Sequence, residues 1–234
     1  MKSVVAILLC VASAASAQLF LEAASGDEPP HLVPVDPRGD SYAERIAKHL
    51  SVATGECGQM LELPSFSPES WVGVHAEVSR ELAEKHGGHW MVPDKEKKFT
   101  LTLLEASENL YYTMAENNDE KKTKDVRVKR TDRAISLELA VALQRAWAAA
   151  ILQTRYASKS SVGTDGTTFE FGVWVRGLGY LRGKTWSPET GAPKELVEIG
   201  TDLRKLASNP NMGEADVIAR LRKLETSCTG DEKK

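Results

Sequence analysis

The sequence predicts an α+β fold, in which an antiparallel sheet of about four strands packs with about five helices around one central helix at 137–156. Three observations carry this expectation. Residues 137–156 are apolar on nearly every side, as in a helix buried from several directions. Segments 99–103, 126–129, 167–175 and 179–186 have the period or composition of strands. Helical and strand-like segments also follow one another without the regular alternation that a parallel sheet requires.

Taken in order, Met1-Lys2, the apolar run from Val4 to Ala12 and Ala15-Ser16-Ala17 have the layout of a secretory signal peptide spanning 1–17. The apolar run is too short for a permanent membrane span, so a mature chain beginning at Gln18 is expected to have none. Residues 18–40 contain Pro29-Pro30, Pro34 and Pro37 and read as an extended linker. A single domain is expected over 41–228, followed by a disordered tail at 229–234. Ser41-Tyr42-Ala43-Glu44 has the form of a capping box, with Ala43, Ile46, Ala47 and Leu50 on one helical face before Gly55. Ser67-Pro68-Glu69 suggests a second helix start, with Trp71, Val74, Val78 and Leu82 at helical spacing before Gly87-Gly88.

Phe99, Leu101 and Leu103 then alternate with threonines, as in a half-buried strand, and 126–129 repeats the alternation. Residues 115–124 are almost wholly polar and read as a solvated hairpin tip. Ser136 opens the central helix, where Leu139, Leu143, Ala146, Ala150 and Ile151 line one face and Trp147 is expected in the core. The turn residues Gly163-Thr164-Asp165-Gly166 lead into the strand pair 167–175 and 179–186. Helices at 193–207 and 214–226 finish the domain, turning Leu196, Ile199, Leu203 and Leu206, then Val217, Leu221 and Leu224, inward.

Composition narrows the classes of function. The chain is 41% hydrophobic and 27% charged, with a formal net charge of −3, so it lacks the basic balance of a nucleic-acid-binding domain. Of three cysteines, Cys10 lies in the leader. Cys57 and Cys228 remain, and in an oxidising compartment they are expected to form a disulfide. Closing a loop of about 170 residues, that bond would stabilise the fold by up to ~5 kcal/mol.

The hairpin offers the best candidate surface. A loop of Arg176-Gly177-Leu178 pairs Phe171 with Gly183 and Val173 with Leu181 on the buried face. The other face then carries Trp174 opposite Tyr180 and Glu170 opposite Lys184, with Arg182 between them. Glu170, Trp174, Tyr180, Arg182 and Lys184 thus form a possible interaction face for a small ligand or a protein partner. No metal site is assigned. His86 and His89, near Glu81, Glu84 and Asp94, are the one histidine cluster, but Gly87-Gly88 between them leaves no helix to fix their geometry. No Gly-x-Ser-x-Gly elbow, Walker loop or dinucleotide fingerprint occurs, so no catalytic residue or cofactor is assigned.

Leu152-Gln153-Thr154-Arg155-Tyr156, Asp165-Gly166-Thr167-Thr168-Phe169, Gly183-Lys184-Thr185-Trp186-Ser187-Pro188 and Leu196-Val197 lie within 136–206. Together they resemble a pattern in uncharacterised exported bacterial proteins, a family of unknown function, over about a third of the chain. The resemblance implies bacterial export, to the periplasm or beyond, and a domain spanning this segment. It transfers no catalytic residue. The expectation is an exported, soluble, non-catalytic protein that binds a ligand or partner. The alternative is an unrecognised hydrolase, metal-dependent through His86 and His89.

Overall fold

Seven antiparallel strands form one sheet in a computed structural model that describes residues 30–35, 41–50, 57–115, 126–156 and 165–230. The chain divides into two units, and Pro30–Arg155 with Asp165–Lys234 carries every secondary-structure element; of Met1–Pro29 with Tyr156–Thr164, only Tyr156 is described. The elements in chain order are β1 (Val33–Pro34), α1 (Ser41–His49), β2 (Gly58–Pro64), β3 (Ser70–Glu77), α2 (Arg80–His86), β4 (Lys98–Ala106) and α3 (Leu110–Ala115). They continue as β5 (Val128–Ile135), α4 (Leu137–Ile151), β6 (Thr167–Val175), β7 (Gly179–Trp186), α5 (Gly191–Ser208) and α6 (Ala215–Thr229). The strand order is β1-β7-β6-β2-β3-β4-β5. Among the described residues no helix is long and apolar enough to cross a membrane.

Both faces of the sheet are covered. On one, Met60, Val72, Val74, Leu101, Leu103, Phe171 and Val173 meet α4, α5 and α6. On the other, Leu61, Leu63, Trp71, Leu104 and Ala106 meet Ala43, Ile46 and Leu50 of the α1 segment and Leu110 of α3. This second layer is fixed by Glu69, which is fully buried just before β3. Its carboxylate accepts from the Tyr42 hydroxyl at 2.6 Å and from the backbone N–H groups of Leu110 at 2.7 Å and Tyr111 at 3.0 Å. One carboxylate therefore satisfies free donors at the start of α3 and holds α1 beside it.

The α+β class holds, but the element count differs. Residues 70–77 are strand, not the helix their spacing suggested, and only Arg80–His86, capped by the Ser79 hydroxyl, is helical. Trp71 is buried on one face while Val72 and Val74 are buried on the other. A strand covered on both sides reads as a continuous apolar run, which periodicity alone does not separate from a helix. Residues 58–64 form a further strand of the same kind, with burial on both faces. Within the stretch read as linker, Leu32 is buried and Val33–Pro34 pairs with Lys184 and Gly183 at the sheet edge. The strand expected at 126–129 runs from Val128 to Ile135, and the central helix ends at Ile151, short of Tyr156.

Other expectations hold residue by residue. Ser136 caps α4 through its hydroxyl, which accepts from the Leu139 N–H at 3.1 Å. Trp147 is fully buried, stands edge-on to Phe171 and donates its indole N–H to the Gln59 carbonyl at 3.0 Å. The residues expected to turn inward from α5 and α6 do so. Thr229, read as the start of a disordered tail at 229–234, instead ends α6, and Ala115, read as the start of the polar loop at 115–124, ends α3. The leader at 1–17, Gly55, the rest of that loop, Gly163-Thr164 and the tail from 231 on lie outside the described residues.

The expected disulfide is corrected: no bond joins Cys57 to Cys228 in this structure. Cys57 shares a cleft wall with Ala140 and Gln144 of α4, whereas the Cys228 carbonyl accepts from the Gln153 side chain beyond the other end of that helix. At a helical rise of about 1.5 Å per residue, Gln144 and Gln153 stand roughly 13 Å apart along the axis. Bridged cysteines need Cα atoms within about 7 Å. Alkylation and peptide mapping under non-reducing conditions should therefore label both thiols. Burial pushes the Cys228 thiol above its ordinary 9.0, so its labelling in the native protein should keep accelerating as pH rises past that value. Recovery of a Cys57–Cys228 linked peptide would contradict this fold.

Candidate functional site

The β6–β7 hairpin has the register its sequence implies. Phe171 faces Gly183, Val173 faces Leu181, Trp174 faces Tyr180 and Glu170 faces Lys184. The five residues of the expected interaction face accordingly share one side of the sheet, opposite α4–α6. They are not equally open. Glu170 is 4% exposed and accepts from Arg182 Nη2 at 2.7 Å, while Trp174 and Lys184 are half-buried and Arg182 reaches solvent.

Tyr180 lies down over Gly172, where an added Cβ would collide with its hydroxyl. Trp71 lies over Gly73 in the same manner. Gly172 and Gly73 flank Gln59 on neighbouring strands, so both rings use the space that missing side chains leave. Trp71 Nε1, His75 Nδ1, Glu170 Oε1 and Tyr180 Oη are buried on this face without a hydrogen-bond partner among the described residues. Burial drives the Tyr180 phenol far above its ordinary value; the Arg182 charge opposes that shift and the Glu170 charge adds to it.

A cleft of about 460 Å³ opens at the Cys57 end of the sheet. One wall is the first half of α4, through Ala140, Val141 and Gln144. The other is the segment between α2 and β4. Gly87, at φ 77°, ends α2, and two short 3₁₀ turns, His89–Met91 and Asp94–Glu96, carry the chain back to the sheet. Buried Val92 pins that segment, leaving Met91 and Pro93 facing the cleft beside Phe99. Gln144 Nε2 donates to the Trp174 carbonyl at 3.1 Å, joining α4 to the end of β6.

The charged groups at the cleft are not equivalent. Lys97 donates to Asp94 Oδ1 at 2.8 Å, so these two largely cancel. Arg176, in the exposed hairpin loop, has no hydrogen-bond or ion-pair partner among the described residues. Trp174 links the cleft to the face expected from sequence. The remaining lining was missed because Met91, Val92 and Pro93 sit in an irregular segment with no periodicity. Arg176 was legible only as a loop residue.

His86 ends α2 and His89 opens the first 3₁₀ turn. His86 Nε2 lies 3.1 Å from Glu96 Oε2, and this contact holds Glu96 below the usual carboxylate value. Asp94 pairs with Lys97 and Glu84 with Arg80. Among the described residues no three His, Cys, Asp or Glu side chains gather in a way that would hold a metal ion.

Since the buried Tyr180 hydroxyl has no partner among the described residues, Tyr180→Phe should leave urea stability near neutral pH within ~0.5 kcal/mol of the parent, or raise it. Because its folded pKa lies above its unfolded 10.0, the neutral phenol's contribution is complete below pH 10 and falls as pH rises further. The phenylalanine variant should lack that alkaline loss. A loss of well over 1 kcal/mol at neutral pH would instead reveal a partner for the hydroxyl.

Comparison with family models, with curated proteins and with solved structures finds no match to this chain.

Proposed function

We propose that this is an exported, non-catalytic binding protein that takes a small organic anion with an apolar body into the cleft between α4 and the segment before β4. The observation that carries the reading is the pairing of an apolar cavity with an uncompensated cation at its mouth. Small-molecule sites typically have volumes of about 300–1,000 Å³ and combine apolar walls with a few polar groups that orient the ligand. The 460 Å³ cleft is within that range. Met91, Val92, Phe99, Ala140 and Val141 supply the walls, and among the described residues lining the cleft Arg176 supplies the one charge without an ion-pair partner. A guanidinium presents a planar fork of donors that fits a carboxylate.

The same lining argues against catalysis. Cys57 is its thiol, yet among the described lining residues there is no histidine to act as its base, and the carboxylate of Asp94 is held by Lys97. A hydrolase built on His86 and His89 has no comparable observation behind it, because His86 is engaged with Glu96. Export rests on the leader-like residues 1–17 and on the resemblance of 136–206 to exported bacterial proteins.

Calorimetric titration with octanoate, octanol and octylamine tests the proposal. Octanoate should bind most tightly, and Arg176→Gln should weaken it about tenfold, or about 1.4 kcal/mol, while leaving octanol unchanged. Val141→Asp, which puts a like charge into the wall, should abolish octanoate binding. Equal affinity for octanol and octanoate would contradict the anion preference, and no binding of any of the three would overturn the cleft reading.

A further inference from the structure

Four aromatic rings form a continuous ladder at the opposite end of β2 from the cleft. Tyr42 and Tyr111 stand edge to face at 5.3 Å, Tyr111 and Tyr112 at 5.5 Å, and Tyr112 lies near-parallel to Phe66 at 6.4 Å. Phe66 is 70% exposed, Tyr111 48% and Tyr112 41%. Single exposed aromatics need no explanation, but a contiguous exposed group of them marks an interaction site.

The ladder is held in place by the protein itself. Asn109 Nδ2 donates to the Ser67 carbonyl at 2.7 Å, fixing the turn that presents Phe66, and Asn109 Oδ1 accepts from the Tyr112 N–H at 3.0 Å. The buried Glu69 carboxylate anchors the other end, through the Tyr111 N–H and the Tyr42 hydroxyl. Rings ordered before any partner arrives lose little conformational entropy on binding.

We infer that this ladder is a second binding surface, independent of the cleft, and that its occupant is a neutral glycan. The planes of Phe66 and Tyr112 differ by only 18°. With contacting carbons about 3.5–4 Å apart, rings whose centres are 6.4 Å apart overlap little, so most of each face stays open. Open aromatic faces receive the C–H-rich face of a pyranose ring. The hydroxyls of Tyr111 and Tyr112 make no hydrogen bond among the described residues and are free to meet sugar hydroxyls. Among the described residues the ladder contains no cation, and its one supporting carboxylate is used internally, so recognition rests on ring faces and hydroxyls rather than on charge. β2 spans roughly 20 Å between the two surfaces, so occupation of one leaves the other open.

Native electrophoresis of the full chain through gels containing hydroxyethylcellulose, glycol chitin or β-mannan tests the inference, with poly-L-proline as the rival ligand. At least one polysaccharide should retard the protein. Phe66→Ala with Tyr112→Ala should weaken that interaction about fivefold or more, whereas Leu178→Ala, exposed on the hairpin loop, should migrate like the parent. If the double variant is unfolded by circular dichroism, Phe66→Ala alone carries the test, since its side chain is mostly in solvent. Retardation by no polysaccharide, retardation insensitive to these substitutions, or binding to poly-L-proline alone would each overturn the inference.

Discussion

The seat of α4 on β2 and β6 sets the position of the cleft. Gly58 makes the close approach possible, because an added Cβ there would stand 2.9 Å from Leu143 Cγ and 3.4 Å from Trp147 Cγ. Trp147 then packs edge-on to Phe171 and satisfies its indole N–H on the Gln59 carbonyl, so a large side chain is buried with no polar atom left unpaired. Truncating such a residue costs on the order of 3–5 kcal/mol in other cores. With the helix held there, Ala140 and Val141 become a cleft wall and Gln144 reaches the end of β6. The start of α4 is fixed in turn by Ser136, whose hydroxyl donates to Glu214 at 2.5 Å, and α5 is clamped to α6 by Arg220 through Glu195, Glu198 and Asp202.

The second layer depends on a different kind of interaction. Glu69 has no exposed surface, and a buried carboxylate is tolerated only when its oxygens are well bonded. Its three donors come from α1 and α3, so the cost of burying the charge is offset by ordering two short helices that bury little by themselves. That arrangement also brings Tyr42, Tyr111 and Tyr112 together at the surface. Farther along the same face the aromatic rings of Trp71 and Tyr180 rest on glycines instead, and several polar atoms there remain unpaired. Among the described residues, the two ends of one sheet face are thus built on opposite terms, a buried carboxylate with three donors at one and buried polar atoms without partners at the other.

The sequence was legible where each residue had one structural use. The register of β6 and β7 followed from Phe169, Phe171 and Val173 needing one face, and the inward residues of α4, α5 and α6 followed from helical spacing. It misled where both faces of a strand are buried. Trp71, Val74 and Val78 match a helix as well as a strand, and only the neighbours β2 and β4 decide between them. Val33–Pro34 was hidden because a two-residue edge strand has no periodicity, and the prolines beside it suggested a linker. The cysteine pairing failed for a similar reason: an even count and a compartment say nothing about which end of α4 each thiol occupies. The cleft was half visible, through Trp174, while the segment from Met91 to Lys97 gains its role only when folded against α4.

A crystal structure of the protein with octanoate bound tests the role of the cleft most directly. The acyl chain should lie between Val92 and Val141, with its carboxylate on the Arg176 guanidinium. An octanoate molecule seated elsewhere on the protein, or one in the cleft with its carboxylate turned away from Arg176, would contradict it.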